Sequence, residues 1–257
     1  MRSLLPGIIA VLVLTACNDG SKKSNQDVVV VHEKTAPVSV QACWSGVIGD
    51  HIPVLLYFDF QDSVFAGHIV YLNTQKREPI RLIGTYDEDK KIRLLEMDAS
   101  GNISGILYGS AVKNEFTGSW FSPKTRKELP FRTTPKDTVI SSEAITADPS
   151  DIYGSYHYQY GEDGYQGDFT LKKLPDGKAI FGIGAVTEAP AYNVADIPDD
   201  TIHITGTQFT YKIADAADCD FTVKFYKGFA MVKYVKGPCD FYFGHNASVE
   251  GIFVKTK

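Results

Sequence analysis

Lysine and arginine together number 26 against 31 aspartates and glutamates, so the 257-residue chain, at a formal net charge of -5, lacks the cationic excess that a nucleic-acid partner would call for. It also lacks long apolar runs: beyond the first seventeen residues nothing approaches the roughly 20 residues that span a bilayer as a helix. Four cysteines are too few for a disulfide-only scaffold, and 44% hydrophobic with 12% aromatic residues excludes global disorder. Helical recurrence of apolar positions over three turns is almost absent. So are His-Glu-x-x-His, Cys-x-x-Cys, Gly-x-Ser-x-Gly, a phosphate-binding glycine loop and calcium-loop spacing. The histidines are scattered singly, and although His157 and His203 fall on strands of one domain, two separate surface residues are the expectation. No metal, cofactor or catalytic residue is expected.

What is present begins with an address. Arg2 supplies a positive start, residues 4–14 an apolar core too short to be a stable span, and Leu14-Thr15-Ala16-Cys17 a small-residue cleavage site ending in cysteine. This resembles the bacterial lipoprotein signal, or lipobox. The resemblance implies removal of residues 1–16 and acylation of Cys17. Each buried methylene contributes about 0.8 kcal/mol, so two or three acyl chains would hold the protein on a bilayer almost irreversibly. In that family an aspartate directly after the cysteine favours inner-membrane retention. Asn18 stands there, with Asp19 one place later, so the resemblance implies the outer membrane, with the body in the periplasm or at the cell surface. Residues 17–39 read as lipidated cysteine and polar tether, reaching roughly 25 Å root-mean-square if flexible.

The rest reads as all-β. Eight short alternating blocks between residues 40 and 133 suggest a meander, with Ile52, Val54, Leu56, Phe58 and Phe60 on one face of the second block. An eight-stranded meander removes its two adhesive edges most simply by closing on itself. In outline it resembles the avidin and lipocalin-like barrels. Residues 134–150, rich in serine, threonine, proline and acid, read as a linker, and residues 151–257 as a second antiparallel β-barrel or barrel-like domain. Its clearest hairpin turns at Lys227-Gly228, pairing Phe225 with Ala230, Val223 with Val232 and Phe221 with Tyr234.

Four features carry candidate chemistry. An exported location permits disulfides, and Cys219 with Cys239 is the favoured pair, although strict register sets Cys219 opposite Lys236 and so requires a bend or bulge. Cys43 is expected as a buried small hydrophobe. Asp59 and Glu96 interrupt apolar strands: facing inward they would need hydrogen-bond partners or a polar ligand, facing outward they would meet solvent or pair with Arg81 or Arg93. Tyr156, Tyr158 and Tyr160 share one strand face, fit either to grip a sugar ring or partner protein or to serve as barrel wall.

The closing stretch from Cys239 to Lys255, with its Gly-His-Asn turn and final Gly-aromatic-Lys strand, resembles the C-terminal part of exported lysozyme-inhibitor-like domains. The expectation is a membrane-anchored cell-envelope binding lipoprotein without catalysis, its partners the bilayer through Cys17 and another envelope or extracellular protein. Inhibition of a lysozyme-type hydrolase is its most concrete form. A structural or assembly partner, a small-ligand barrel and an enzyme built from distant strands stand as alternatives.

Overall fold

The computed structural model describes residues 38–213, 216, 219–236, 239 and 242–257. Cys17 and the tether up to residue 37 lie outside the described residues, as does the 237–238 bend. Ala36–Lys257 form one compact unit.

The first eight strands are β1 (Val38–Ile48), β2 (Ile52–Gln61), β3 (Val64–Tyr71), β4 (Ile80–Tyr86), β5 (Ile92–Met97), β6 (Asn102–Val112), β7 (Glu115–Ser122) and β8 (Lys127–Glu143). Each pairs antiparallel with the next, and β8 returns to β1, so the meander closes into a barrel without a free edge. The alternation legible in β2 operates as expected: Val54 and Leu56 are buried inside, with Ile48, Phe65, Ile69, Leu82, Leu94, Leu107, Phe116 and Phe131. Trp44 lies parallel to Phe58 at 6.3 Å and meets Phe116 edge-on at 6.5 Å. The barrel is therefore filled by side chains. Burial of each such group contributes about 1.5–3 kcal/mol.

Strand takes the first ten residues of the linker expected at 134–150, whereas 144–150 lie outside any strand. Residues 134–143 continue β8 and pair with β1 as far as Val38↔Glu143. Thr134, Thr138, Val139 and Ile140 suit extended backbone, and pairing satisfies amide groups that the first half of β1 would otherwise leave open. Pro135 is accommodated beside a bulge, where register jumps between Ala42↔Val139 and Trp44↔Pro135.

The second body comprises β9 (Gly154–Tyr160), β10 (Gln166–Lys173), β11 (Lys178–Val186), β12 (Val194–His203), β13 (Gln208–Lys212), β14 (Asp220–Tyr226), β15 (Phe229–Lys236) and β16 (Gly251–Lys255). Its ladders run β12-β11-β10-β9-β16-β15-β14-β13. Among the described residues no ladder joins β12 to β13, so this ring stays open at one seam, crossed there by a Tyr211 hydroxyl that donates to Asp200 at 2.8 Å. Aromatic rings of Tyr156, Phe169, Phe181, Phe209, Phe221, Phe225 and Phe253 fill its centre. The β14–β15 hairpin has the expected register, with Gly228 at φ 79° in the turn. A shift between Asp220 and Phe221 supplies the bulge, and Cys219 is bonded to Cys239 with Cα atoms 5.2 Å apart.

The two bodies share a single sheet. Asn102–Ile103 of β6 pair in parallel with Gln159–Tyr160 of β9. Val64, Ile83, Leu95, Met97 and Ile103, on the outer wall of the first barrel, join the apolar cluster of the second.

Candidate functional site

Glu96 and Asp59 fall on opposite sides of the first barrel wall. Residues 92, 94 and 96 of β5 point inward, which turns Arg93 away from the Glu96 carboxylate, and Glu96 is 1% exposed. Its Oε1 accepts from the Tyr71 hydroxyl and the Trp120 indole N–H, each at 2.7 Å, and Oε2 from the Ser104 hydroxyl at 3.3 Å. A bulge in β6 inserts Ser104 between the partners of Glu96 and Met97. Room for the carboxyl exists because the facing residue is Gly105: a Cβ there would lie 2.6 Å from the Glu96 carboxyl carbon. Desolvation holds the Glu96 pKa above the ordinary glutamate value, against the lowering effect of its three donors. The expected outward pairing with Arg81 or Arg93 does not occur, because the strand's two-residue period puts those arginines on the other face. Asp59 sits on the outer face, where its Oδ1 accepts the Phe60 amide at 2.8 Å.

The tyrosine row divides by depth. Tyr156 and Tyr158 are 2% and 6% exposed and belong to the core of the second body, so they form wall and not a contact surface. Burial raises both phenols well above their usual range. Tyr158 touches the edge of one hollow, and Tyr160 opens more fully, because β9 there leaves the second ring to run beside β6. The Tyr160 hydroxyl accepts from Arg93 Nη2 at 3.2 Å, and the Arg93 guanidinium lies 5.9 Å from its ring centroid.

Tyr160 marks the junction of three adjoining hollows, of about 390, 260 and 580 Å³, along the cleft between the two bodies. Strand β5 supplies Arg93 and the β7–β8 turn supplies Arg126 from the first barrel; Glu188, Tyr165 and Glu250 come from the second body. Arg126 Nη2 and Glu188 Oε2 pair across the cleft at 2.8 Å. Arg93 and Glu250 line two of the hollows together, and among the described residues neither belongs to an ion pair. The Glu250 carboxyl is raised above the usual value by desolvation, opposed by the Tyr234 amide and Lys233 and reinforced by Glu88. The arrangement can bind groups of either charge beside aromatic faces.

Sequence reasoning missed Arg126, Glu188 and Glu250 and offered Arg93 only as an ion-pair partner for Asp59 or Glu96; the four are far apart in the chain and meet only through the β6–β9 junction. His157 meets Asp168, its cross-strand neighbour, with Nδ1 to Oδ1 at 2.8 Å, whereas His203 lies opposite Lys178 on β12. Cys43 is buried at 1% exposure, and burial raises its thiol pKa. Among the described residues no three His, Cys, Asp or Glu side chains group so as to hold a metal ion, and no helix is long and apolar enough to cross a membrane. Compared with family models, curated proteins and solved structures, the chain matches none.

Proposed function

We propose that this protein is a lipid-anchored binding protein of the bacterial cell envelope, without catalysis, that recognises a protein partner in the cleft between its two β bodies. One observation carries the reading: both rings are filled by their own side chains, while the charged and aromatic groups with accessible space around them converge on the cleft at Tyr160. A filled barrel leaves little room for an internal small ligand, so recognition falls to the outside. Aromatic and arginine side chains at a concave surface are the groups that most often dominate protein interfaces. The lipobox at residues 14–17 supports placing this cleft at a membrane surface, on a tether long enough to clear the headgroups.

The test is site-specific photocrosslinking in cells. A benzoylphenylalanine at Tyr165, on the cleft wall, should give a discrete light-dependent adduct with an envelope protein, and Arg93→Glu should abolish it. The same probe at Val112, an exposed position off the cleft, should give none. Equal adducts from both positions, or none from Tyr165, would sink the reading.

A further inference from the structure

The cleft contains an interrupted sheet edge. In β16, the Lys255 amide donates to Gly228 O at 3.0 Å, so alternation directs the backbone groups of residues 251, 253 and 255 toward β15 and those of 252 and 254 toward β9. The ladder between β16 and β9 holds only Val254↔His157 and Lys255↔Tyr156. One step further, Ile252 would face Gln159, but the Gln159 amide donates instead to Gly101 O at 3.0 Å, where β9 takes up β6 as its neighbour. The Ile252 N–H and C=O therefore face the cleft, and among the described residues no strand lies opposite them. The adjacent Glu250 amide donates to the Ser248 hydroxyl at 3.0 Å.

The charged groups flank this edge from both walls. Arg93 is fixed against Tyr160, and Glu250 immediately precedes β16, its Oε1 accepting the Tyr234 amide at 3.3 Å. A guanidinium and a carboxylate that line the same space without pairing with each other suit an occupant bearing both charges. A backbone donor and acceptor between them suit an amide chain rather than a ring of hydroxyls. Main-chain pairing along a sheet edge, with side chains read by flanking pockets, is an established way to recognise extended segments.

We propose that the cleft binds an extended peptide segment of the partner protein, added alongside β16 at Ile252, with an acidic side chain on Arg93 and a basic side chain on Glu250. This rests on the protein-binding reading above and names what that partner presents.

The experiment selects from a displayed random library of linear peptides of about 12 residues, on the chain from residue 17 onward carrying Cys17→Ser. Enriched peptides should combine an acidic and a basic residue at a constant spacing. Their affinity should fall at least about tenfold in Arg93→Glu and in Glu250→Lys. Replacing the peptide's acid by lysine should restore binding to Arg93→Glu, a rescue that a merely misfolded variant would not show. N-methylation of a single central peptide bond should abolish binding while methylation of its neighbour is tolerated. Enriched peptides that bind both charge variants unchanged would overturn the assignment to this edge. Failure to enrich any peptide, with the Tyr165 crosslink still forming, would overturn the peptide proposal and leave the partner-binding reading standing. Binding of an N-acetylglucosamine hexamer that is lost in Arg93→Glu would assign the cleft to a glycan instead.

Discussion

Glu96 concentrates the residue-scale physics. A buried carboxylate with three donors is satisfied, yet desolvation still favours its neutral form. Its folded-state pKa thus lies above the value of 4.5 it would have in the unfolded chain. Between those two values the folded state holds more protons than the unfolded state, so stability is fully present below the unfolded value and declines as pH rises through the folded one. Glu96→Gln keeps an oxygen for Tyr71 and Trp120 and removes the titration. Urea midpoints measured from pH 4 to 8 should therefore fall for the wild type relative to Glu96→Gln as pH rises; parallel curves would show that this carboxyl does not titrate across the window. That Glu96 and Asp59 interrupt apolar strands, so that either facing inward would need partners, was legible in the sequence. Which of them faced inward was not, because a one-residue difference in register exchanges the two faces. Gly105, which makes room for the carboxyl, carries no signal until its cross-strand partner is known.

At the scale of elements, the β14–β15 hairpin was the most legible part of the chain, since a two-residue turn fixes every pair that follows it. The cysteine pair followed from that register plus one bulge. Closing the segment between Cys219 and Cys239 contributes about 3 kcal/mol in the chain-entropy view. Reduction, or the double substitution to serine, should lower the urea midpoint accordingly, and an unchanged midpoint would mean that the bond constrains nothing. In the same Cys17→Ser form, a thiol reagent should find no reactive group in the native protein and one, Cys43, after unfolding without reductant. The extension of β8 through 134–143 was hidden because serine, threonine and proline read as loop residues. Their extended state is imposed by β1, a partner nearly a hundred residues away in the chain.

On the scale of the whole molecule, the all-β class and the closed first meander were readable from alternation and turn spacing, but the cleft was not. It exists because β9 divides its pairing between β16 and β6, and no local pattern announces a strand that changes neighbours. The shared apolar cluster couples the two bodies. Both tryptophans, Trp44 and Trp120, lie in the first, and the second is rich in buried tyrosine and phenylalanine. Tryptophan fluorescence and near-ultraviolet tyrosine dichroism should consequently report one coincident urea transition, whereas two separated midpoints would show that the bodies unfold independently. Attachment is tested separately: Cys17→Ser should eliminate labelling by radioactive palmitate and release the protein from the membrane fraction, and retention of both would remove the anchor from the account.

The parallel step between Asn102–Ile103 and Gln159–Tyr160 also bears on the order of assembly. A chain is made from its N-terminus, so the first ring, complete at residue 143, can finish before β9 exists. The later strand then arrives at a template already cut to length. Damage to the opening half of the chain would thus propagate forward into the cleft, while damage to the closing half would strip the cover from Val64, Ile83, Leu95, Met97 and Ile103 on the first ring's outer wall.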